Sequence, residues 1–201
     1  MTPFNPNTAR RRAAVAAAIL AAAPSGPACA GDADTGWSIR PEFHLAGITN
    51  HIEHNGGSSS YDTLAATLEF TLHSDKRPYW GGPFVDYRAS SDERHDDQRN
   101  IGAYFRYNWP RWDATGWLFV NRAGGGSHTW LYATRLRYRV AGSHKLGIEA
   151  MAPLEQPGSP MLMGGYYGML SDSVSVKLLG GTKVDGAVDF SARIELVWNV
   201  Y

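Results

Sequence analysis

The strongest constraint on this chain is a two-residue alternation that recurs in about ten short stretches. From Asn100 to Trp109 one face reads Ile101, Ala103, Phe105, Tyr107, Trp109, and the other Asn100, Gly102, Tyr104, Arg106, Asn108. From Thr129 to Val140 the pattern returns: Trp130, Tyr132, Thr134, Leu136, Tyr138 and Val140 stand against Arg135, Arg137 and Arg139. Successive side chains of a strand point to opposite faces, so each stretch reads as a strand with one apolar and one charged side. The apolar faces end in aromatic rings, while charge sits at mid-strand on the opposite face. A soluble sandwich turns its apolar faces to a shared core and scatters its aromatics. The arrangement here suits strands with lipid on one side and a polar barrel interior on the other.

Ten strands are expected, at roughly 36–49, 61–73, 78–89, 99–109, 115–122, 129–140, 145–154, 160–170, 173–182 and 186–200. The breaks between them alternate in character. The first, third and fifth are long or polar: His51 to Ser60, Ser90 to Arg99, and Ala123 to His128. The second, fourth, sixth and eighth are tighter: Ser74-Asp75-Lys76, Pro110 to Thr115, Ala141 to His144, and Ser171-Asp172-Ser173. Transmembrane barrels have this asymmetry, with short turns at one rim and longer loops at the other. The fold class is therefore all-β: a single antiparallel transmembrane β-barrel over residues 31–201, ten strands preferred and eight the smaller alternative.

Residues 1–30 read as a cleaved secretory signal. Arg10, Arg11 and Arg12 form its basic start, Ala13 to Ala23 its short apolar run, and Ala28-Cys29-Ala30 its small-residue cleavage site. Cleavage after Ala30 removes the single cysteine, leaving no thiol or disulfide chemistry. It also removes three of 19 basic residues and none of the 19 acidic ones, so residues 31–201 carry 16 − 19 = −3. No basic patch points to nucleic acid.

Tryptophan placement gives a second check on topology. By height along the strands, Trp37, Trp80, Trp109, Trp112, Trp117 and Trp198 fall at the short-turn rim and Trp130 at the other. Amphipathic rings favour the headgroup boundary, so an aromatic girdle is expected there. Glycine pairs Gly81-Gly82, Gly164-Gly165 and Gly180-Gly181 fall inside strands, where they relieve crowding or make room for a large side chain across the lumen.

The final stretch, Arg193 to Tyr201, alternates and ends on an aromatic ring. It resembles the assembly signal of Gram-negative outer-membrane proteins, with Tyr201 out of phase with the outward set Ile194, Leu196, Trp198 and Val200. The resemblance is to small outer-membrane barrels as a class. It implies an outer-membrane location, export by the signal, and contact with the lipid bilayer, lipopolysaccharide and the barrel-assembly machinery.

Alternation assigns a set of charged residues to the interior: Arg40, Glu42, His44, Glu69, Asp86, Arg88, Arg106, Arg135, Arg137, Arg139, Glu149, Lys177, Asp189, Arg193 and Glu195. Charges of both signs in a narrow lumen are expected to pair, because an unpaired dry charge costs several kcal/mol. Closure sets the first strand beside the last, so His44, Ser191 and either Glu42 or Asp189 are the candidates for an activated serine. Two loop runs, His51-Ile52-Glu53-His54 and Asp92 to Asp97, hold donors for a divalent cation but lack calcium-loop spacing. No cofactor motif is present in the sequence. The expected function is a non-enzymatic barrel: a narrow pore or a structural barrel, with outer loops that meet envelope or secreted components and assist transport or secretion. The alternative is a lipid or lipopolysaccharide hydrolase.

Overall fold

The computed structural model describes residues 36–54, 57–92, 95–124, 126 and 128–199. The signal reading (1–30) and the out-of-phase Tyr201 lie outside the described residues. Ten strands account for nearly all the rest. They are β1 (Trp37–His54), β2 (Gly57–Ser74), β3 (Tyr79–Ser90), β4 (Gln98–Asn108), β5 (Trp112–Ala123), β6 (His128–Ala141), β7 (His144–Pro153), β8 (Met161–Met169), β9 (Val174–Lys183) and β10 (Phe190–Asn199). Every strand pairs antiparallel with its sequence neighbours, and β1 pairs with β10 to close the barrel. Closure leaves no open edge, which a strand assembly in hydrocarbon requires.

The ladder departs from the sequence expectation at two places. The polar stretch after β1 is an extension of the β1–β2 hairpin, paired from His51↔Ser60 to His54↔Gly57. Side chains hold this extension too: the Thr49 hydroxyl donates to Asp62 at 2.8 Å, and His51 bonds Ser60 at 2.9 Å. Strand β10 begins only at Phe190, because residues 184–189 turn through Gly186 at φ 72°.

The two faces are inverted relative to a soluble protein. Ile101 (66 % exposed), Ile148 (64 %) and Ile194 (60 %) stand outward, while Arg135 (3 %) and Glu69 (5 %) are buried inside. An uncharged exterior band over a charged interior is the signature of a transmembrane barrel. Outward Gly116, Thr134, Ala150, Gly164 and Gly180 leave a hollow of about 680 Å³ in that band.

The aromatic girdle is smaller than expected. Trp109 and Trp112 are exposed at the short-turn rim, and Trp37 and Trp198 share the outward parity of Ile39 and Ile194. Trp80 and Trp117 face the lumen instead. Arg106 lies over Trp80 at 5.5 Å and Arg135 over Trp117 at 4.8 Å, so each ring receives a guanidinium on its π-face. The interior is not uniformly charged. Phe84, Tyr104 and Phe119 form one buried apolar cluster, and Met163, Tyr167 and Leu179 another.

The barrel lumen as candidate functional site

Near the short-turn rim, Asp113 on β5 is the centre of a compact ionic knot. Its register places it opposite Arg137. Arg137 Nε donates to one carboxylate oxygen and Lys145 Nζ to the other, each at 2.6 Å. Gly147 is needed here: a Cβ would sit 2.7 Å from Arg137 Cγ and 3.1 Å from the Tyr167 ring. The missing side chain lets Arg137 lie inward, 5.0 Å over the Tyr167 ring.

At mid-height a second network crosses the barrel. Arg193 on β10 bonds Glu149 on β7, skipping β8 and β9. Strands are about 4.8 Å apart, so this pair is a chord through the lumen and not a contact along the wall. Glu149 also accepts from Tyr167 Oη at 2.9 Å and faces Arg135 Nη1 at 3.5 Å. Arg193 Nε lies 3.5 Å from Glu195, which Lys177 also bonds. Toward the long-loop rim, Asp86 accepts from Arg88 Nε at 2.7 Å, from Thr67 Oγ1 at 2.8 Å, and from Asn100.

The third group is different in kind. Glu42 on β1 lies directly opposite Glu69 on β2, and His44 follows Glu42 on the same inward face. His44 Nδ1 donates to Glu195 at 2.8 Å. Its Nε2 is buried with no hydrogen-bond partner, 3.7 Å from Glu42 Oε2 and 3.6 Å from Glu69 Oε2. The Thr71 hydroxyl donates to the other Glu42 oxygen at 3.3 Å and is itself bonded to Tyr104.

The remaining assigned residues sit as follows. Arg40 faces Asp75 at 3.5 Å, at the β2–β3 turn. Arg106 Nε donates to Thr115 Oγ1 at 3.2 Å. Two assignments do not hold. Asp189 is exposed in the turn before β10, bonding the Glu53 amide at the rim, because β10 starts after it. Arg139 is exposed at the opposite rim.

The serine–histidine arrangement is also absent. Closure pairs His44 with Val197, and Ser191 with Asn50. Six residues of strand therefore separate the two heights, about 20 Å at 3.3 Å per residue. Glu42 does stand beside His44, but the hydroxyl opposite the imidazole is that of Thr67, which donates to Asp86. Sequence reading missed Asp113 and Lys145. Counting the alternation back from Thr115 puts Asp113 inward, and counting back from Glu149 does the same for Lys145.

Small cavities lie among these networks along the lumen. Toward the long-loop rim one measures about 200 Å³, at mid-height one about 120 Å³, and toward the short-turn rim two measure about 190 and 160 Å³. Arg193 and Met163 line both of the first two, His44 and Lys177 line both the 120 and 190 Å³ cavities, and Glu42 and Arg106 line both of the last two.

No protein-family model matches the chain, and no curated protein matches it. Among solved structures it is similar to the KdgM porin, at 8 % identity and TM-score 0.48, covering 81 % of this chain and 99 % of that one. An outer membrane channel from Pseudomonas putida matches at 11 % identity and TM-score 0.48, covering 88 % and 99 %. The translocator domain of the autotransporter NalP from Neisseria meningitidis matches at 9 % and 0.40, covering 96 % and 97 %.

Proposed function

We propose that this chain is a barrel of the Gram-negative outer membrane, with a lumen too narrow for sugar-sized solutes and a path for water and small ions at most. The observation that carries this reading is the set of side chains bonded across the lumen, above all Arg193 to Glu149, with cavities of only 120–200 Å³ among them. Ten strands enclose far less space than the sixteen or eighteen of porins that leave an aqueous channel. The lipid bilayer meets the outward isoleucines and leucines, and lipopolysaccharide meets the rim of longer loops. The barrel-assembly machinery reads the C-terminal strand, and an envelope or secreted partner meets the outer loops. A lipid hydrolase relying on Ser191 has no support from this geometry, since its base would lie about 20 Å away.

Liposome swelling tests the proposal. Vesicles carrying refolded protein should not swell in isotonic arabinose or glucose, while vesicles with a general porin do. Swelling at a porin-like rate would overturn it.

A further inference from the structure

We infer that Glu42, His44 and Glu69 form a binding site for a divalent transition-metal ion of the zinc class, built into the wall of the lumen. The site stands whether or not the lumen conducts. Four observations meet on it.

The first is the donor geometry. One atom from each residue lies within 4.8 Å of the other two, and the imidazole nitrogen is 3.6 and 3.7 Å from the two carboxylate oxygens. Tetrahedral coordination with bonds of about 2.0–2.2 Å sets ligand atoms roughly 3.3–3.6 Å apart. Small side-chain adjustments bring all three into contact with one ion.

The second is the orphaned nitrogen. His44 is 6 % exposed, and its Nε2 has no hydrogen-bond partner. Glu195 accepts from Nδ1, so the imidazole carries its proton there and its lone pair at Nε2 points between the glutamates. A carboxylate on the far nitrogen is the usual orienting partner of a metal-bound histidine. Thr71 supplies a similar hold on Glu42.

The third is charge. Two carboxylates directly opposite each other on neighbouring strands destabilise the pair unless something stands between them. Lys177 bonds Glu195, and Arg106 bonds Thr115; no arginine or lysine bridges Glu42 and Glu69 among the described residues. A proton on Nε2 is the competing occupant. It would stand 3.6 and 3.7 Å from the two carboxylates, within ion-pair range but beyond hydrogen-bond range, and so would compensate their charge without a hydrogen bond to either.

The fourth is access. His44 lines both the 120 Å³ and the 190 Å³ cavities, so a fourth coordination position is open to water from the lumen. One imidazole with two carboxylates suits zinc, and cobalt in its place as a spectroscopic reporter.

The test is zinc titration by calorimetry of the detergent-refolded full barrel in a non-chelating buffer. Wild type should bind one tight equivalent. Glu69→Gln should lose it, and Glu195→Gln should weaken it by about 10–100-fold. His144→Ala, at an exposed site on the short-turn rim, should bind as wild type does. Heat-modifiability on gels confirms that each variant is folded. A measurement on wild type alone covers the case in which Glu69→Gln does not fold: added cobalt should give the intense visible bands of four- or five-coordinate ion. No tight zinc equivalent, equal binding by a folded Glu69→Gln, or only the pale spectrum of hydrated cobalt would each overturn the assignment.

Discussion

Two walls of the same lumen handle buried charge in opposite ways. On the β5–β7 wall, Asp113 has two cations, each within 2.6 Å, and the group is closed upon itself. On the β1–β2 wall, Glu42 and Glu69 face each other across the ladder with only an unpartnered imidazole nitrogen between them. Both walls exclude solvent to a similar degree, so the difference is one of pairing and not of burial. A satisfied knot resists change and braces the barrel. An unsatisfied acid pair has free energy to gain from a cation, which is the property of a site. Charge in this lumen therefore serves two purposes, and the local pairing tells them apart.

The largest expected effect comes from breaking the satisfied wall. Asp113→Ala leaves Arg137 and Lys145 buried without an acceptor and should cost about 3–5 kcal/mol in a dry site. The temperature at which the folded band converts to the unfolded band on a gel should fall accordingly. Next comes the exterior. Ile148→Lys sets a charge on the mid-strand outward face and should cost about 2–4 kcal/mol in a bilayer, measured by denaturant titration in lipid vesicles. If that variant is neutral in lipid, the outward face does not meet hydrocarbon.

The unsatisfied wall should respond with the opposite sign. In chelator-treated protein, Glu69→Gln removes a like-charge pair, and its gel-shift temperature should match or exceed that of wild type. A loss as large as that of Asp113→Ala would show that the acid pair is already compensated and would erase the contrast between the walls. The smallest effect belongs to the rim: Asp185→Asn, on the exposed loop after β9, should leave the gel shift unchanged.

What could be read from the sequence follows from the strict two-residue period of strands. Arg106, Arg135, Arg137 and Glu149 were all legible as inward because alternation within one strand is local. Height along a strand puts Trp80 and Trp117 at the short-turn rim, but parity decides which face a ring joins, and it turns both inward. Asp113 escaped because β5 starts at Trp112, inside what reads as the Pro110 to Thr115 turn. The supposed meeting of His44 and Ser191 failed for a deeper reason. Closing a barrel staggers its first strand against its last, and that stagger depends on every turn between them. Alternation carries no record of it. The pairing of Glu42 with Glu69 depends likewise on the register of the β1–β2 hairpin, which runs on through a stretch that reads as a polar loop.

Planar-bilayer recording of the refolded barrel tests the central claim, that bonded side chains close the lumen to all but water and small ions. Wild type should show no steady open level of the size general porins give. Arg193→Ala, which removes the chord to Glu149, should raise the conductance or its frequency of opening. A steady, large conductance in wild type that Arg193→Ala leaves unchanged would contradict the account, because the crossing pairs would then close nothing.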